Sequence, residues 1–172
     1  VRQVYYFSET DRDAHFVDNS VPLRINGTGA EYFYAPFLQN DVSKVYGIVY
    51  VLNGEMFFKE EGEIKILKKG ELSIGDVSGK RVYYGSDCDF LHYYWLDFTG
   101  YDAENFIKRM GFQTGAKYFV GEKVEFEECF HALFKEFAIR DALTMSRMEA
   151  ATTLLLSAFF LPEPSFAVIL LI

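Results

Sequence analysis

The chain is poor in cysteine, histidine, proline and basic charge. Of its 172 residues, two are cysteine, three are histidine and four are proline. Cys88 and Cys129 stand far apart and form no CxxC or Cys/His pattern. That excludes a disulfide scaffold and a cysteine-based zinc site, and a reducing, cytoplasmic setting is expected. The first sixteen residues, VRQVYYFSETDRDAHF, carry charges where a secretory leader would be apolar. The sequon NGT at 26–28 therefore carries little weight.

Lysine and arginine total 17 against 25 aspartate and glutamate, for a net charge of −8. An acidic chain is not expected to hold nucleic acid over a broad surface. The apolar run FAVILLI at 166–172 has seven residues, whereas a membrane-crossing helix needs about 20. No membrane partner is expected. No GxSxG is present. GTG at 27–29 and GDVSG at 75–79 lack the strand–turn–helix setting of a phosphate loop. The carboxylate pairs Glu60/Glu61 and Glu127/Glu128 read as solvated faces rather than as an acid/base pair, which needs opposed carboxylates in a cleft.

What the chain has in abundance is aromatic surface, with 18 Phe and 12 Tyr. Such rings pack while tyrosine hydroxyls still bond, which suits either a polar-aromatic cavity or a tyrosine-rich sheet. The first hundred residues read as short strands. VYYF (4–7), LRINGTG (23–29), AEYFYA (30–35), KVYGIVYVLNG (44–54), EMFFKEEG (55–62) and EIKILKKG (63–70) are punctuated by Gly, Asn and Asp. Asn53-Gly54 has the composition of a hairpin turn, and Glu61-Gly62 and Lys69-Gly70 offer further turns. Leu72 and Ile74 alternate after the last of them. DFLHYYWLDF (89–98) reads as one long strand with Leu91, Tyr93, Trp95 and Asp97 on one face. His92, Tyr94, Leu96 and Phe98 take the other.

After Gly100 the period changes. A short helix is predicted over 102–112. An amphipathic helix over 124–138 repeats Phe126, Cys129, Phe130, Leu133, Phe134 and Phe137 at three- and four-residue spacing. Asp141 caps a third helix over 142–160, and Pro162 and Pro164 end it.

These segments, in this order, resemble one family. YVLNGEMFF, ILKKGELSI and the following tyrosine pair look like the core of a cupin barrel. YYWLDFTG, then a short helix and two longer ones, resembles the amino-terminal effector-binding domain of AraC-type transcriptional regulators, from about residue 20 to 160. The resemblance implies a mainly β fold: a cupin-like double-stranded β-barrel, or jelly roll, over 1–100. A helical dimerisation appendage would span 101–161, with an apolar tail over 162–172. It implies a small effector, a sugar or related metabolite, in the barrel, and a homodimer. DNA would be reached through a helix-turn-helix segment that this sequence does not contain.

Enzymatic cupins carry an HxH…E cluster and a later histidine, because imidazole and carboxylate suit divalent metals. This chain has only His15, His92 and His131, and the turn GDVSGKRVYY offers Arg81, Val82, Tyr83 and Tyr84 where the later histidine would fall. Neither metal nor other cofactor is expected, and no catalytic residue is assigned. The candidate ligand-binding residues are Trp95 and Tyr93, which share a strand face, with Tyr83 or Tyr84 after the turn. Asp97, Arg24 and Arg81 are the polar candidates. The alternative is that Tyr93 and Trp95 merely fill the core. His92 is expected to face away from the lumen. In some relatives an arm folds over the bound effector, which makes the segment 7–16 a lid candidate.

Phe130, Leu133, Phe134 and Phe137 are expected to dock on the barrel. Met145, Met148, Leu154, Leu155 and Phe159 are expected to form the dimer contact, unless the roles are reversed or both helices pack within one subunit. Three other functions stay open: a stand-alone small-molecule-binding cupin, a cupin enzyme such as a sugar isomerase or dioxygenase, and a purely structural dimerisation module.

Overall fold

A computed structural model describes residues 2–8, 17–42, 44–60, 63–77, 79–139 and 143–158, with backbone alone for 2–8, 60, 137, 145 and 148. Ten strands and three helices follow in the order β1 (Arg2–Ser8), β2 (Arg24–Phe33), β3 (Phe37–Val42), β4 (Tyr46–Asn53), β5 (Glu55–Glu60), β6 (Glu63–Lys68), β7 (Glu71–Ile74), β8 (Arg81–Ser86), β9 (Leu91–Thr99), α1 (Ala103–Arg109), β10 (Lys117–Phe119), α2 (Val124–Ile139) and α3 (Thr144–Ala158). The larger sheet has the order β1-β2-β9-β4-β7-β10 and the smaller one β3-β8-β5-β6.

The pairing is nested. β5 pairs with β6, β4 with β7, β3 with β8 and β2 with β9, each antiparallel. Successive pairs fall alternately in the two sheets, as though one long hairpin had been wound back and forth between them. This is jelly-roll order. β1 and β10 extend the two edges of the larger sheet.

The nesting revises the reading of the turns. β4 and β5 lie in different sheets, so Asn53-Gly54 is a crossing and not a hairpin. Gly54 has φ 82°, and a Cβ there would stand 2.4 Å from the Phe90 carbonyl oxygen. The same glycine that suits a tight hairpin suits a sharp exit from one sheet into the other. Lys69-Gly70 likewise joins β6 of the smaller sheet to β7 of the larger. Glu61-Gly62 lies outside the described residues, although β5 and β6 do pair up to Glu60 and Glu63 on either side of it. LRINGTG and AEYFYA are one strand, β2, not two. FLQNDV, without alternation or β-branched residues before its last position, is the strand β3 that pattern reading overlooks.

Two apolar layers result. Between the larger sheet and the helices lie Ile48, Tyr50, Tyr94, Leu96 and Phe98 of the sheet, with Phe126, Phe130 and Leu133 of α2 and Leu155 and Leu156 of α3. Between the two sheets lie Phe33, Val51, Met56, Leu67, Leu91, Tyr93 and Trp95. α2 is thus pinned by the three-four spacing of its phenylalanines. Phe126 meets the Tyr50 ring edge-on at 4.9 Å, and Phe130 sits 5.2 Å from the Tyr94 ring. Phe134 also packs against this layer. The short α1 runs over 103–109, and Gly111 follows it with φ 79°. Asp141 lies outside the described residues. Among the described residues no helix is long and apolar enough to cross a membrane.

The dimer candidates divide. Leu155 is fully buried in its own subunit's helical layer, which corrects its assignment to a partner contact. Leu154 is 62% exposed. The side chains of Met145 and Met148, and all of Phe159, lie outside what is described. Substituting Phe130 by alanine should cost about 3–5 kcal/mol, the range for a buried phenylalanine. Substituting Val124, 66% exposed at the start of the same helix, by alanine should change stability by no more than about 0.5 kcal/mol. Urea denaturation of the two variants reads the difference, and equal losses would contradict the helical layer as described.

Candidate functional site

Along β9 the inward-facing residues change character. Leu91, Tyr93 and Trp95 are large and sealed in the inter-sheet layer, with Tyr93 4% and Trp95 8% exposed. Two residues further on comes Asp97. Its cross-strand neighbours are Gly27 on β2 and Gly47 on β4. One step back, Trp95 faces Gly29 and Val49. At the Asp97 level no neighbouring side chain fills the space, because both flanking positions lack a Cβ. A Cβ on Gly47 would lie 3.1 Å from Asp97 Oδ1.

A cavity of about 810 Å³ opens at this level between the sheets. From the larger sheet it is lined by Gly47, Val49, Ser73 and Asp97, and from the smaller by Asp41, Phe58, Lys65, Val82 and Tyr84. Lys44, Asp76 and Lys80 stand at its exposed margin. Tyr84 donates its hydroxyl to Gln39 Oε1 at 2.8 Å, and its ring lies near Phe58 and Phe37. Ser73 donates to the Ala116 carbonyl at 3.0 Å. Lys65 donates to the Gly115 carbonyl across the margin.

Among the described residues, the Asp97 carboxyl receives no hydrogen bond and no ion pair. Burial, and after it the charges of Asp41 and Glu31, push its pKa up to about 8. Glu31 is itself buried, on the β2 position opposite Tyr93. Asp97 is partly exposed to the cavity, and the direction of the shift favours its neutral acid form. This is a proton-bearing group facing open space.

Of the seven candidate binding residues, Asp97 and Tyr84 line the cavity. The other five do not. Tyr93 and Trp95 face the predicted side of β9 but are packed as core, because the apolar layer closes before their level is reached. Tyr83 alternates to the outer face of the smaller sheet and is 40% exposed. Arg81 is exposed and donates to Asn40 Oδ1 at 3.2 Å. Arg24 pairs with Asp18 at 3.3 Å near the start of β2. Asp41, Ser73 and Phe58 were missed. The one local signal was Gly47, a glycine inside the strand YGIVYV, where close approach of another group is the usual reason.

The histidines hold structural places. His92 stacks on Tyr32 with ring centroids 4.0 Å apart, on the helix side of the sheet, as alternation predicted. Its Nε2 is buried without a hydrogen-bond partner among the described residues, and burial lowers its pKa to about 4. His131 Nε2 lies 3.0 Å from the Tyr94 hydroxyl and ties α2 to β9. His15 and most of the proposed lid lie outside the described residues. Among those described, no three His, Cys, Asp or Glu side chains converge as metal ligands. Asn26 of the sequon is 4% exposed and accepts a hydrogen bond from Thr99 Oγ1 at 3.0 Å.

No family model and no curated protein matches the chain. Its similarities are to solved structures. One is a cupin-superfamily protein from Desulfitobacterium hafniense, 7% identical over 58% of this chain and 78% of that one, with a TM-score of 0.43. Another is the cupin domain of an XRE-family transcriptional regulator from Enterobacter cloacae, 16% identical over 56% of this chain and 94% of that one, at 0.41. A third is the Cnp3 cupin domain of Schizosaccharomyces pombe, 13% identical over 64% and 67%, at 0.43. At these scores the superpositions decide neither the fold nor the function. The jelly-roll order rests on the strand pairing itself.

The two shifted groups act on stability in opposite senses. Asp97 keeps its proton in the fold and loses it on unfolding, so its contribution is complete below about pH 4 and is lost as pH rises toward about 8. His92 must take up a proton on unfolding, so it weakens the fold as pH falls from about 6.5 toward about 4. Above pH 6.5 the Asp97 effect stands alone of these two. Asp97→Asn should flatten the decline between pH 6.5 and 8, a slope of at most about 1.4 kcal/mol per pH unit. Urea midpoints across that interval measure it, and an unchanged slope in the variant would rule out Asp97 as its source.

Proposed function

We propose that this chain is an effector-binding and dimerisation module of the AraC type, holding a small molecule in the inter-sheet cavity. The single observation behind this reading is the cavity. Its volume, about 810 Å³, falls within the range of small-molecule sites, roughly 300–1,000 Å³. Its walls combine apolar side chains with a few polar groups, as such sites require. The role is binding rather than catalysis. The bound state is passed on to a DNA-binding segment, and the coupling requires that the effector bind two states of the module unequally.

Pairing of two subunits through the helices is part of the same proposal. Ile139, Leu143 and Leu154 are exposed on the α2–α3 pair. They support a seam there, in place of the buried Leu155.

Trp95 provides the readout. It is the chain's one tryptophan, and its cross-strand neighbour Val49 lines the cavity. Effector binding should shift Trp95 emission and raise the melting temperature. A library of sugars, amines and organic acids that moves neither quantity would sink the cavity reading. Light scattering at tens of micromolar should give a dimer, and Leu154→Glu a monomer. A monomeric wild-type chain would remove the dimerisation half alone.

A further inference from the structure

The cavity has one polar group left over. Its fixed hydroxyls already donate elsewhere, Tyr84 to Gln39 and Ser73 to the Ala116 carbonyl. Lys65, the lysine reaching in from β6, is engaged by the Gly115 carbonyl. Glu63 and Lys44 also lack a partner among the described residues, but both are exposed; deeper in, only the Asp97 carboxyl lines the space with no hydrogen bond or ion pair among the described residues, in the gap left by Gly27 and Gly47. Two more carboxylates act on it, Asp41 from β3 and Glu31 from β2. The wall beside it is apolar, made by Val49, Phe58 and Val82.

A neutral polyol would find few free partners on these walls. An anion would meet Asp41 and Asp97. A protonated amine meets both needs, since it donates several charge-assisted hydrogen bonds and offsets the repulsion among the three carboxyls. The remaining charges, Glu63 with Lys65 on β6 and Lys44, Asp76 and Lys80 at the margin, nearly balance one another. The sign of the field at Asp97 is therefore left to Asp41 and Glu31, the charges that act on it most strongly.

We propose that the ligand of this cavity is an amphipathic amine, its ammonium seated on the Asp97 carboxyl and its apolar body against Val49, Phe58 and Val82. The proposal rests on the cavity being the ligand site and names the class of molecule that fills it. Binding converts the Asp97 acid to its carboxylate, and the proton released passes to the buffer. The amine keeps its own proton throughout.

Titration calorimetry of the full chain tests this, with benzylamine, tyramine and putrescine as cationic probes and benzyl alcohol and glucose as neutral ones. An amine should bind, and its affinity should rise about tenfold from pH 6 to pH 7, since only the ionised fraction of Asp97 is competent. Phosphate and TES buffers should give different apparent heats, marking the released proton. Asp97→Asn should abolish amine binding while the protein stays folded. Gly47→Ala, which puts a methyl 3.1 Å from Asp97 Oδ1, should weaken it by at least about tenfold. Each of these is overturning: neutral probes binding as well as the amines, amine binding unchanged in Asp97→Asn, or no amine binding at all. Neutral binding alone refutes the amine and leaves the cavity as a site. Silence of Trp95 and of the melting temperature across the wider library removes the cavity itself.

Discussion

Strand β9 has to satisfy two cores at once, and the rest of the molecule is arranged around that. It is the central partner of β2 and β4, and six of its nine residues pack into one apolar layer or the other. A strand covered on both faces cannot follow the alternation of apolar and polar residues. LHYYWLDFT is accordingly aromatic on successive positions. Tyr94, Leu96 and Phe98 require the helices, since without α1, α2 and α3 they would face water. Leu91, Tyr93 and Trp95 require the smaller sheet. A slip of one residue would exchange the two sets, and the bulges in register beside Asn26 and Leu52 absorb the irregularity without moving them. β9 and β4 also meet both the α2 phenylalanines and the cavity wall, through Tyr94 and Tyr50 on one side and Asp97 and Val49 on the other.

Much of this was legible. The two-residue period of β9 placed every side chain on its correct face, because alternation is a property of one strand. The three-four spacing of Phe126, Phe130 and Leu133 identified the buried face of α2 for the same reason. The glycines of Asn53-Gly54 and Lys69-Gly70 marked sharp bends at the right places. What a local signal does not carry is which strand comes next to which. A crossing between sheets and a hairpin within one make the same demand for positive φ, so the bends were found and their partners were not.

The binding residues failed or held by the same logic. Alternation gives the face of a residue but not its depth along the lumen. Trp95 and Asp97 share a face, yet one is core and the other lines open space. On β2 a glycine stands opposite each of them, Gly29 and Gly27, so the difference lies on β4, where Val49 faces Trp95 and Gly47, fifty positions from Asp97 in the chain, faces the acid. Tyr84 stands as a candidate together with Tyr83, because the resemblance puts a pocket-lining residue after the glycine turn and does not say which. Tyr83 and Arg81, one and three residues away, point out of the sheet by the period of two. Asp41 went unseen because FLQNDV has no strand pattern to read.

Asp97 breaks two rules of stable folding at one point. Sheltering a carboxyl without a partner is costly, and the usual response is a raised pKa, the direction found for Asp97. Leaving a gap beside it is costly as well, since a cavity forfeits contacts that a filled layer would have made. Either cost alone would be relieved by an ordinary residue: an asparagine or valine at 97, or an alanine at 47. The two occur together, on adjacent strands and in register, and a Cβ on Gly47 would press on the acid. Departures from local stability rules that support one another in this way gather at sites of function. The larger sheet's inner face is closed by Leu91, Tyr93 and Trp95 along β9 and opens where the acid stands.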